Sequence, residues 1–332
     1  MENKISIVLC TYNGRNKLSS TLSSLSNLVL DNITSIELIV VDNLSTDHTS
    51  EFVDSYWNSE LNKPFPLVLL NENRPGKLFA QELAFKQAKG DFILICDDDN
   101  ELNADYLQIG LNYLIQNTKI GVIGGQGIAV STSEIPEWFE SNKYHFACAP
   151  QAPKTGNVMP TRNVVYGAGM WVRKSAYDKA KKLGFKFLLN SRTGSSLTTG
   201  GEDSELCWAI KLLGYEIWYV DELKFNHHIP SNRLTNEYRK KLLAGMIDNA
   251  PLAGAYLRIW KNNITQNVRF FWFKELLYAF KAYLLNKDKE YKKILKLNIR
   301  FYIQFRSKYD DSFNQIINYR NRCLEFLNNT HK

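Results

Sequence analysis

Three consecutive aspartates end a strongly apolar stretch of the chain. Asp97, Asp98 and Asp99 follow residues 92–96, which have the composition of a buried strand. Carboxylates at a strand end can hold a divalent cation, and Mg²⁺ or Mn²⁺ commonly binds one or two carboxylates together with substrate phosphates. The pattern favours a metal-assisted site for a phosphorylated ligand, and an acidic strand exit that merely keeps the edge soluble is the alternative.

A second acidic cluster lies far downstream, where Glu202, Asp203 and Glu205 follow Gly200-Gly201. The apolar spacing after this cluster predicts a helix that starts here. A carboxylate held at a helix start can take a proton from an attacking hydroxyl, which is the task of a general base. Acids in a first helical turn are also stabilised by the helix dipole, so a structural role is the alternative.

Polar residues follow the first two predicted strands. Residues 5–10 lead into Thr-Tyr-Asn-Gly-Arg at 11–15, and residues 36–41 lead into Asp42. An aspartate there could accept hydrogen bonds from a pyrimidine ring or from ribose hydroxyls. The competing interpretation is that both exits are turns and helix N-caps.

Apolar runs alternate with amphipathic segments over the first 120 residues. Strands are predicted at 5–10, 36–41, 66–70 and 92–96, and helices at 16–28, 47–57, 78–88 and 104–116. A further strand is predicted at 215–220. Alternation of this kind indicates an α/β fold with a mostly parallel sheet and with ligands at the carboxyl ends of its strands.

Residues 131–163 show little periodicity and contain several prolines and aromatics. Long segments of this kind are often lids, and an irregular excursion packed by its own aromatics is the alternative. Gly167-Ala168-Gly169 follows, and it would permit a close backbone approach near an acceptor or close packing of helix on strand.

Composition places the chain among ordinary globular proteins, with 332 residues, 44% hydrophobic and 23% charged. Charge is uneven, because residues 231–332 hold 20 Lys and Arg against 8 Asp and Glu, net +12, whereas residues 1–230 are net −5. A basic tail suggests an anionic partner, either a membrane surface or nucleic acid. The five cysteines are scattered without a C-x-x-C pair, so neither a zinc site nor a redox pair is predicted.

Residues 271–285 are rich in aromatics and flanked by lysines, which suits an interfacial membrane helix. A helical subdomain packed on the rest of the protein is the alternative. No apolar run is long enough to cross a bilayer, and the N-terminus leads directly into a strand, so a cytoplasmic protein is expected. No nucleic-acid-binding motif accompanies the basic tail, and nucleic acid is not expected as a partner.

Taken in order, these motifs resemble the family 2 glycosyltransferases of the GT-A fold over about residues 5–233. The resemblance rests on residues 11–15, 40–43, 89–91, 97–99, 167–170 and 201–206, and on His227 ahead of Ile229-Pro230. It implies a Rossmann-like α/β domain over 1–230, with a mostly parallel sheet flanked by helices, and a helical C-terminal extension over 231–332.

The resemblance also implies roles for individual residues. Asp203 would be the catalytic base, and the metal, Mn²⁺ or Mg²⁺, would be held by Asp97, Asp99 and His227. Asp42 would contact the nucleotide base. The residues expected to bind the nucleotide sugar are Thr11, Tyr12, Asn13, Arg15, Asp42, Lys77, Asp97, Asp98 and Glu202.

The implied reaction is metal-dependent inverting transfer from a nucleoside-diphosphate sugar, with UDP favoured, to a hydroxyl of a glycan or lipid-linked acceptor. Synthesis of a bacterial surface polysaccharide on the cytoplasmic face of the inner membrane is the expected setting. A non-catalytic sugar-nucleotide-binding or membrane-associated scaffold protein is the alternative.

Some positions depart from the family pattern. Ala80-Gln81-Glu82 stands where many members have Ala-Arg-Asn, so Lys77 or Arg74 would have to supply the missing cation. Trp208 occupies a position where a basic residue is common. The histidine is doubled, and His227 is favoured over His228 by its spacing to Ile229-Pro230.

Overall fold

The structure is a computed structural model that describes residues 3–59, 64–189, 200–244, 268–286 and 310–330, with single positions at 256, 292, 295, 296, 299 and 303. The strands are β1 (Lys4–Thr11), β2 (Ser35–Asp42), β3 (Leu67–Asn71), β4 (Phe92–Asp97), β5 (Asn100–Leu102), β6 (Ile120–Val130), β7 (Gly156–Asn157), β8 (Trp171–Arg173) and β9 (Glu216–His228). The helices of the first 212 residues are α1 (Leu18–Ser26), α2 (Thr49–Ser59), α3 (Lys77–Gln87), α4 (Tyr106–Gln116), α5 (Trp138–Asn142), α6 (Lys174–Lys182) and α7 (Glu202–Leu212).

The strands form one sheet in the order β3-β2-β1-β4-β8-β6-β9-β5, with β7 paired to β9. The long ladders β1·β2, β1·β4, β2·β3 and β6·β9 are parallel, and the pairings of β5, β7 and β8 are antiparallel and short. Strands β1, β2 and β4 are buried on both faces, which is why their sequences are continuous apolar runs rather than alternating ones. The predicted α/β fold with a mostly parallel sheet is confirmed.

Strand β9 is longer than the predicted strand at 215–220. It continues to His228, past the exposed pair Asp221-Glu222, and then resumes a period-two burial pattern in which Leu223 and Phe225 point inward. The exposed pair interrupts the apolar run, and this is why the sequence pattern predicted an early end. The extension carries His227 to the end of the sheet, beside β5.

The segment at 131–163 is more ordered than its sequence suggested. It contains α5, a 3₁₀ helix at Lys143–Phe146 and β7. The rings of Phe139 and Phe146 lie 5.0 Å apart and pack in a small buried cluster with Ile229 and Leu242. The packed alternative therefore describes these aromatics, and the same segment forms one wall of the cleft described below.

Two longer helices follow, at Val268–Asn286 and Asp310–Thr330. The second packs on α7 through Tyr319 and Cys323, and the Tyr319 hydroxyl donates to the Ala209 carbonyl at 2.9 Å. Among the residues placed in the structure, no helix is both long and apolar enough to cross a membrane. The division at residue 230 stays a prediction, since much of 231–332 lies outside the described residues.

Candidate functional site

The carboxyl ends of three neighbouring strands bring predicted site residues together. Thr11 is opposite Asp42 in the β1·β2 ladder, and Cys10 is opposite Asp97 in the β1·β4 ladder. Because these ladders are parallel and in register, all three strands end at one edge of the sheet. The sheet itself therefore places Thr11, Asp42 and Asp97 side by side.

The loops after β1 and β2 are tied to each other. The Asn13 amide N–H donates to Ser45 Oγ at 2.9 Å, and the Thr46 N–H donates to Asn13 Oδ1 at 2.8 Å. The Arg15 N–H donates to Asp47 Oδ2 at 3.1 Å. Asn13 has a positive φ of 48°, which asparagine tolerates better than most residues. These bonds hold the two loops together as one rigid wall. Tyr12, which lies in the first of these loops, is 42% exposed.

Asp42 is buried within this wall and has a structural role. Its Oδ1 accepts from the Ser45 N–H at 2.9 Å, and its Oδ2 accepts from the Ser50 hydroxyl at 2.6 Å. This is the turn that the sequence left open as an alternative. Each carboxylate oxygen has a second lone pair, so Asp42 can also accept a hydrogen bond from a ligand.

Asp97 and Asp98 point in different directions. Asp97 Oδ1 lies 2.5 Å from the Lys77 ammonium, and both side chains line the cleft. Asp98 Oδ2 accepts from the Thr11 hydroxyl at 2.7 Å and lies 2.8 Å from Lys17 Nζ. Burial raises the pKa of Asp98 although the Lys17 charge acts to lower it. Asp98 therefore fastens the β1 exit to the end of β4.

Asp99 faces His227 and Arg233. Its Oδ1 lies 3.5 Å from His227 Nε2, and its Oδ2 accepts from Arg233 Nη1 at 3.1 Å. Burial would raise the pKa of Asp99, but the charges of His227 and Arg233 outweigh it and hold that pKa well below its usual range. Burial would lower the pKa of His227, and the Asp99 carboxylate instead raises it to about 10.

Asp99 and His227 together offer a carboxylate oxygen and an imidazole nitrogen, which are atoms that can bind a divalent cation. His227 Nδ1 lies 2.8 Å from the Phe146 carbonyl, to which it can donate, and this leaves Nε2 directed at Asp99. Metal-binding histidines typically anchor their other ring nitrogen in this way. No group of three or more His, Cys, Asp or Glu positioned for a metal occurs among the described residues, so substrate phosphates would have to complete the ligand set.

Asp203 lies at the start of α7 and is held by backbone donors. Its Oδ2 accepts from the Gly167 N–H at 2.9 Å, and its Oδ1 accepts from the Ser204 N–H at 2.8 Å. The backbone at Gly167 can approach Asp203 this closely because glycine has no side chain. A Cβ at this position would lie 3.1 Å from Asp203 Cβ, which is a tight contact. Glu202 precedes Asp203, is buried and also lines the cleft.

Glu205 anchors the same helix from its buried side. Its carboxylate accepts from the backbone N–H groups of Leu188 and Leu189 at 2.9–3.0 Å and from the Tyr256 hydroxyl at 2.9 Å. Burial raises the pKa of Glu205 to about 7, and these donors act to lower it. The bonds fix the first turn of α7 and with it the position of Asp203.

A cleft of about 310 Å³ joins these groups. Five predicted site residues line it, namely Lys77, Asp97, Glu202, Asp203 and His227. The other predicted residues lie at the neighbouring strand ends and loops, namely Thr11, Tyr12, Asn13, Arg15, Asp42, Asp98 and Asp99. The structure thus collects all of them at one edge of the sheet.

Three cations of the site were not predicted from the sequence, namely Lys17, Arg162 and Arg233. Lys17 and Arg233 pair with Asp98 and Asp99 across long stretches of chain. Arg162 lines the cleft within the segment that lacked periodicity. The position of Arg233 six residues after His227, at the end of the family resemblance, is the one local signal that could have drawn attention to it.

The structure places the residues at the positions that depart from the family pattern in different surroundings. Lys77 lies in the cleft, whereas Arg74 makes a two-pronged pair with Glu72 at 2.8–3.0 Å. His228 Nε2 lies 2.8 Å from Glu101, so the two histidines face different carboxylates. Trp208 lines the cleft and stacks on Tyr256 with ring centroids 5.1 Å apart.

Comparison with known proteins identifies relatives of this chain. The family model described as Glycosyl transferase family 2 matches residues 6–180. The poly(ribitol-phosphate) beta-N-acetylglucosaminyltransferase TarS of Staphylococcus aureus is 31% identical over 134 residues, which is 39% of this chain and 23% of that protein. The matched region thus spans about a quarter of the length of this relative.

Solved structures share the fold. The crystal structure of residues 1–349 of Staphylococcus aureus TarS in complex with UDP-GlcNAc has a TM-score of 0.57 and 17% identity, covering 98% of this chain and 92% of that one. A mannosyltransferase from Pyrobaculum calidifontis, in complex with GDP-Man and Mn²⁺, has a TM-score of 0.52 and 16% identity, covering 90% of this chain and 84% of that one.

Proposed function

This chain belongs to glycosyl transferase family 2 and is a glycosyltransferase, and from that premise we propose a metal-dependent, inverting transfer from a UDP-sugar to a hydroxyl of a glycan or lipid-linked acceptor. The observation that carries the proposal is the position of Asp203. Its carboxylate is held by two backbone N–H groups in the same cleft that Asp97, Lys77 and His227 line. One carboxylate thus faces the space in which donor and acceptor would meet.

Asp203 is the proposed general base. The Gly167 and Ser204 N–H groups orient the carboxylate while leaving a lone pair on each oxygen for the acceptor hydroxyl. A proton taken by Asp203 makes that hydroxyl oxygen a better nucleophile as it attacks the anomeric carbon. A single displacement from the face opposite the leaving group inverts the anomeric configuration.

The wall formed by the β1 and β2 exits is the proposed nucleotide site. Asp42 accepts from the base or ribose, and the exposed ring of Tyr12 offers a stacking surface for the base. Thr11, Asn13 and Arg15 position this wall. On the cleft side, Lys77 and Asp97 meet the diphosphate and the sugar, and Glu202 lines the same cleft.

Asp99 and His227, with Asp97 beside them, would hold the Mn²⁺ or Mg²⁺ ion. When bound, the ion supplies positive charge that stabilises the departing nucleoside diphosphate. The residues of this chain fix the ligands beforehand, because Phe146 anchors the His227 ring and Arg233 anchors the far oxygen of Asp99. The Mn²⁺ in the complex of the Pyrobaculum calidifontis mannosyltransferase, which shares the fold, supports a divalent metal in general.

The acceptor is proposed to be a bacterial surface polymer. The support is the similarity to TarS, whose name gives poly(ribitol-phosphate) as its acceptor, and the UDP-GlcNAc bound to that protein supports UDP as the nucleotide. Sugar specificity depends on a few hydrogen bonds to ring hydroxyls, so the proposal stops at the UDP-sugar class.

An anionic membrane surface is the proposed location of this acceptor. The helix Val268–Asn286 exposes the apolar side chains Phe273, Leu277, Tyr278, Phe280, Leu284 and Leu285. Lys274 and Lys281 on the same helix are also exposed, and residues 231–332 carry a net charge of +12. Apolar side chains combined with positive charge favour binding to anionic lipid.

The proposed function is tested by thermal denaturation of the full chain with UDP, GDP, ADP and CDP, each with and without Mn²⁺. A ligand that binds the folded state raises the melting temperature by mass action. We expect a rise with UDP that requires Mn²⁺ and that is lost in Asp99→Ala. Asp31→Ala, a change at an exposed position remote from the cleft, is the matched control.

The absence of a shift with every nucleotide would contradict the proposal and favour a scaffold role. A UDP-induced rise in melting temperature that is equally large without Mn²⁺ would contradict the proposed metal dependence and leave the rest of the proposal intact. Retention of the donor's anomeric configuration in the product, measured by proton NMR, would contradict the single displacement.

A further inference from the structure

Arg162 packs against two tyrosine rings in the wall of the cleft. Its guanidinium carbon lies 4.1 Å from the Tyr144 ring centroid and 4.4 Å from that of Tyr166. The two rings are themselves edge to face at 5.6 Å. Cation–π contacts with both rings restrict the orientation of the guanidinium.

Two nitrogen donors of this guanidinium lack a hydrogen-bond partner among the described residues. These are Nε and Nη1 of Arg162, and both are buried. The salt bridges of the described residues also leave Arg162 without a carboxylate, whereas Lys77 has Asp97 and Arg233 has Asp99. Buried donors without partners cost folding free energy, so their retention in a cleft points to a ligand that satisfies them.

The backbone around Arg162 is fixed rather than adaptable. The Arg162 N–H donates to the Val158 carbonyl at 2.9 Å. The following residue, Asn163, has a φ of 68°, and its side-chain oxygen accepts from the buried Lys211 ammonium. These contacts hold the start of the arginine side chain in place before any ligand arrives.

Arg162 belongs to the Asp203 side of the cleft. Tyr166, one of its two ring partners, directly precedes Gly167, whose N–H holds Asp203. Tyr144, Arg162 and Asp203 also line the same cleft. An acceptor whose hydroxyl reaches Asp203 would therefore pass beside Arg162.

We propose that Arg162 binds an anionic group, a phosphate or a carboxylate, carried by the acceptor near its reacting hydroxyl. This inference rests on the proposed function, because it takes Asp203 as the base that the acceptor hydroxyl meets. An anion could also come from the diphosphate of the donor. The acceptor is favoured because Lys77 and the Asp99–His227 pair already serve the diphosphate side.

The test separates these two sources. Saturation-transfer NMR measures binding of sn-glycerol 3-phosphate, and of glycerol as its uncharged counterpart, to the full chain saturated with UDP and Mg²⁺. We expect the wild type to bind sn-glycerol 3-phosphate and not glycerol. Arg162→Gln should weaken that binding at least ten-fold, Arg162→Lys should weaken it less, and UDP affinity should stay within two-fold of the wild type.

Arg322→Gln is the matched control, because Arg322 is exposed on the C-terminal helix, and it should bind both ligands as the wild type does. Equal binding of sn-glycerol 3-phosphate by wild type and Arg162→Gln, or no binding by the wild type, would overturn the inference. A ten-fold loss of UDP affinity in Arg162→Gln would assign the arginine to the donor instead. Failure of the wild type to bind UDP at all would count against the proposed function rather than against Arg162.

Discussion

The backbone N–H of Gly167 donates a 2.9 Å hydrogen bond to Oδ2 of Asp203, across 36 residues of sequence. It joins the glycine-rich segment before β8 to the first turn of α7. With the Ser204 N–H on the other oxygen, the carboxylate has one orientation and faces the cleft. The glycine therefore acts on the proposed base directly.

Replacement of Asp203 by Asn should abolish transfer while sparing donor binding. The amide keeps the size of the side chain and cannot accept the acceptor proton, and general-base catalysis is worth roughly 10²–10⁴ in rate. Release of UDP in the presence of acceptor measures kcat, and the Mn²⁺-dependent UDP shift measures binding. Asp31→Asn, at an exposed remote position, is the control, and full activity of Asp203→Asn would remove Asp203 from the mechanism.

Replacement of Gly167 by Ala should lower kcat more than it changes KM. The new Cβ would lie 3.1 Å from Asp203 Cβ and 3.2 Å from its Oδ2, so the carboxylate must move by a few tenths of an ångström. Because a misplacement of about 1 Å can cost about 10² in rate, a loss of about ten-fold is expected. Steady-state kinetics measures it, and a loss confined to KM would contradict a positioning role.

The alternation of strands and helices could be predicted over the first 116 residues, because β1, β2 and β4 are continuous apolar runs and because α1, α2 and α4 have apolar residues at helical spacing. Strand β9 was predicted too short, since exposed Asp221 and Glu222 interrupt its pattern while pairing with β6 continues on either side. Local periodicity reports burial along one segment, and it carries no information about which neighbour extends a ladder.

The carboxylates of Asp42 and of residues 97–99 could be predicted because they stand at strand ends, and those of Glu202 and Asp203 because they begin a helix. Their partners could not, because Arg233 reaches Asp99 across 134 residues and Lys17 reaches Asp98 through the folding of β1 onto β4. Arg162 lies in a segment whose helices are short and whose aromatics pack on distant residues such as Ile229. Only the tertiary structure brings these cations to the site.

Glu205 should make the stability of the protein fall as the pH rises. Its folded-state pKa of about 7 lies above the ordinary value of 4.5, so folding favours the protonated form. This stabilisation is complete below about pH 4.5 and is lost as the pH rises through 7, which amounts to about 2 kcal/mol between pH 5 and 8.

Glu205→Gln removes that titration and keeps an oxygen for the Leu188 and Leu189 N–H groups. Urea unfolding should therefore show the variant gaining stability over the wild type from pH 5 to pH 8. Glu325→Gln, at an exposed position on the C-terminal helix, should follow the wild type. A constant difference between Glu205→Gln and the wild type across this range would show that Glu205 does not titrate there.

Lys77 and Arg74 are the two candidates for the cation that contacts the nucleotide sugar, and substituting each of them distinguishes between the two. Lys77 lies in the cleft against Asp97, and Arg74 is engaged by Glu72 outside it. Loss of a charge-assisted contact to a phosphate is worth about 1.5–3 kcal/mol, so Lys77→Ala should weaken UDP binding by about ten-fold or more. Titration calorimetry with UDP and Mn²⁺ measures it, and a larger loss in Arg74→Ala than in Lys77→Ala would reverse the assignment.

Binding to an anionic membrane should depend on the exposed face of the helix Val268–Asn286. Leu284 and Leu285 are 52% and 75% exposed, and their burial in lipid would add to the attraction of the basic region. The full chain should sediment with phosphatidylglycerol vesicles at low salt and not with phosphatidylcholine vesicles. The double variant Leu284→Asn, Leu285→Asn should remain in the supernatant.

Leu324→Asn is the control, since Leu324 is a similarly exposed leucine on the C-terminal helix. It should sediment as the wild type does, and salt well above 0.15 M should release both, because screening weakens the attraction of surface charges to lipid. Sedimentation of the double variant at the wild-type level would remove this helix face from membrane binding. If the wild type fails to sediment and instead elutes as a dimer that the double variant breaks, the face is an interface between two copies of the chain.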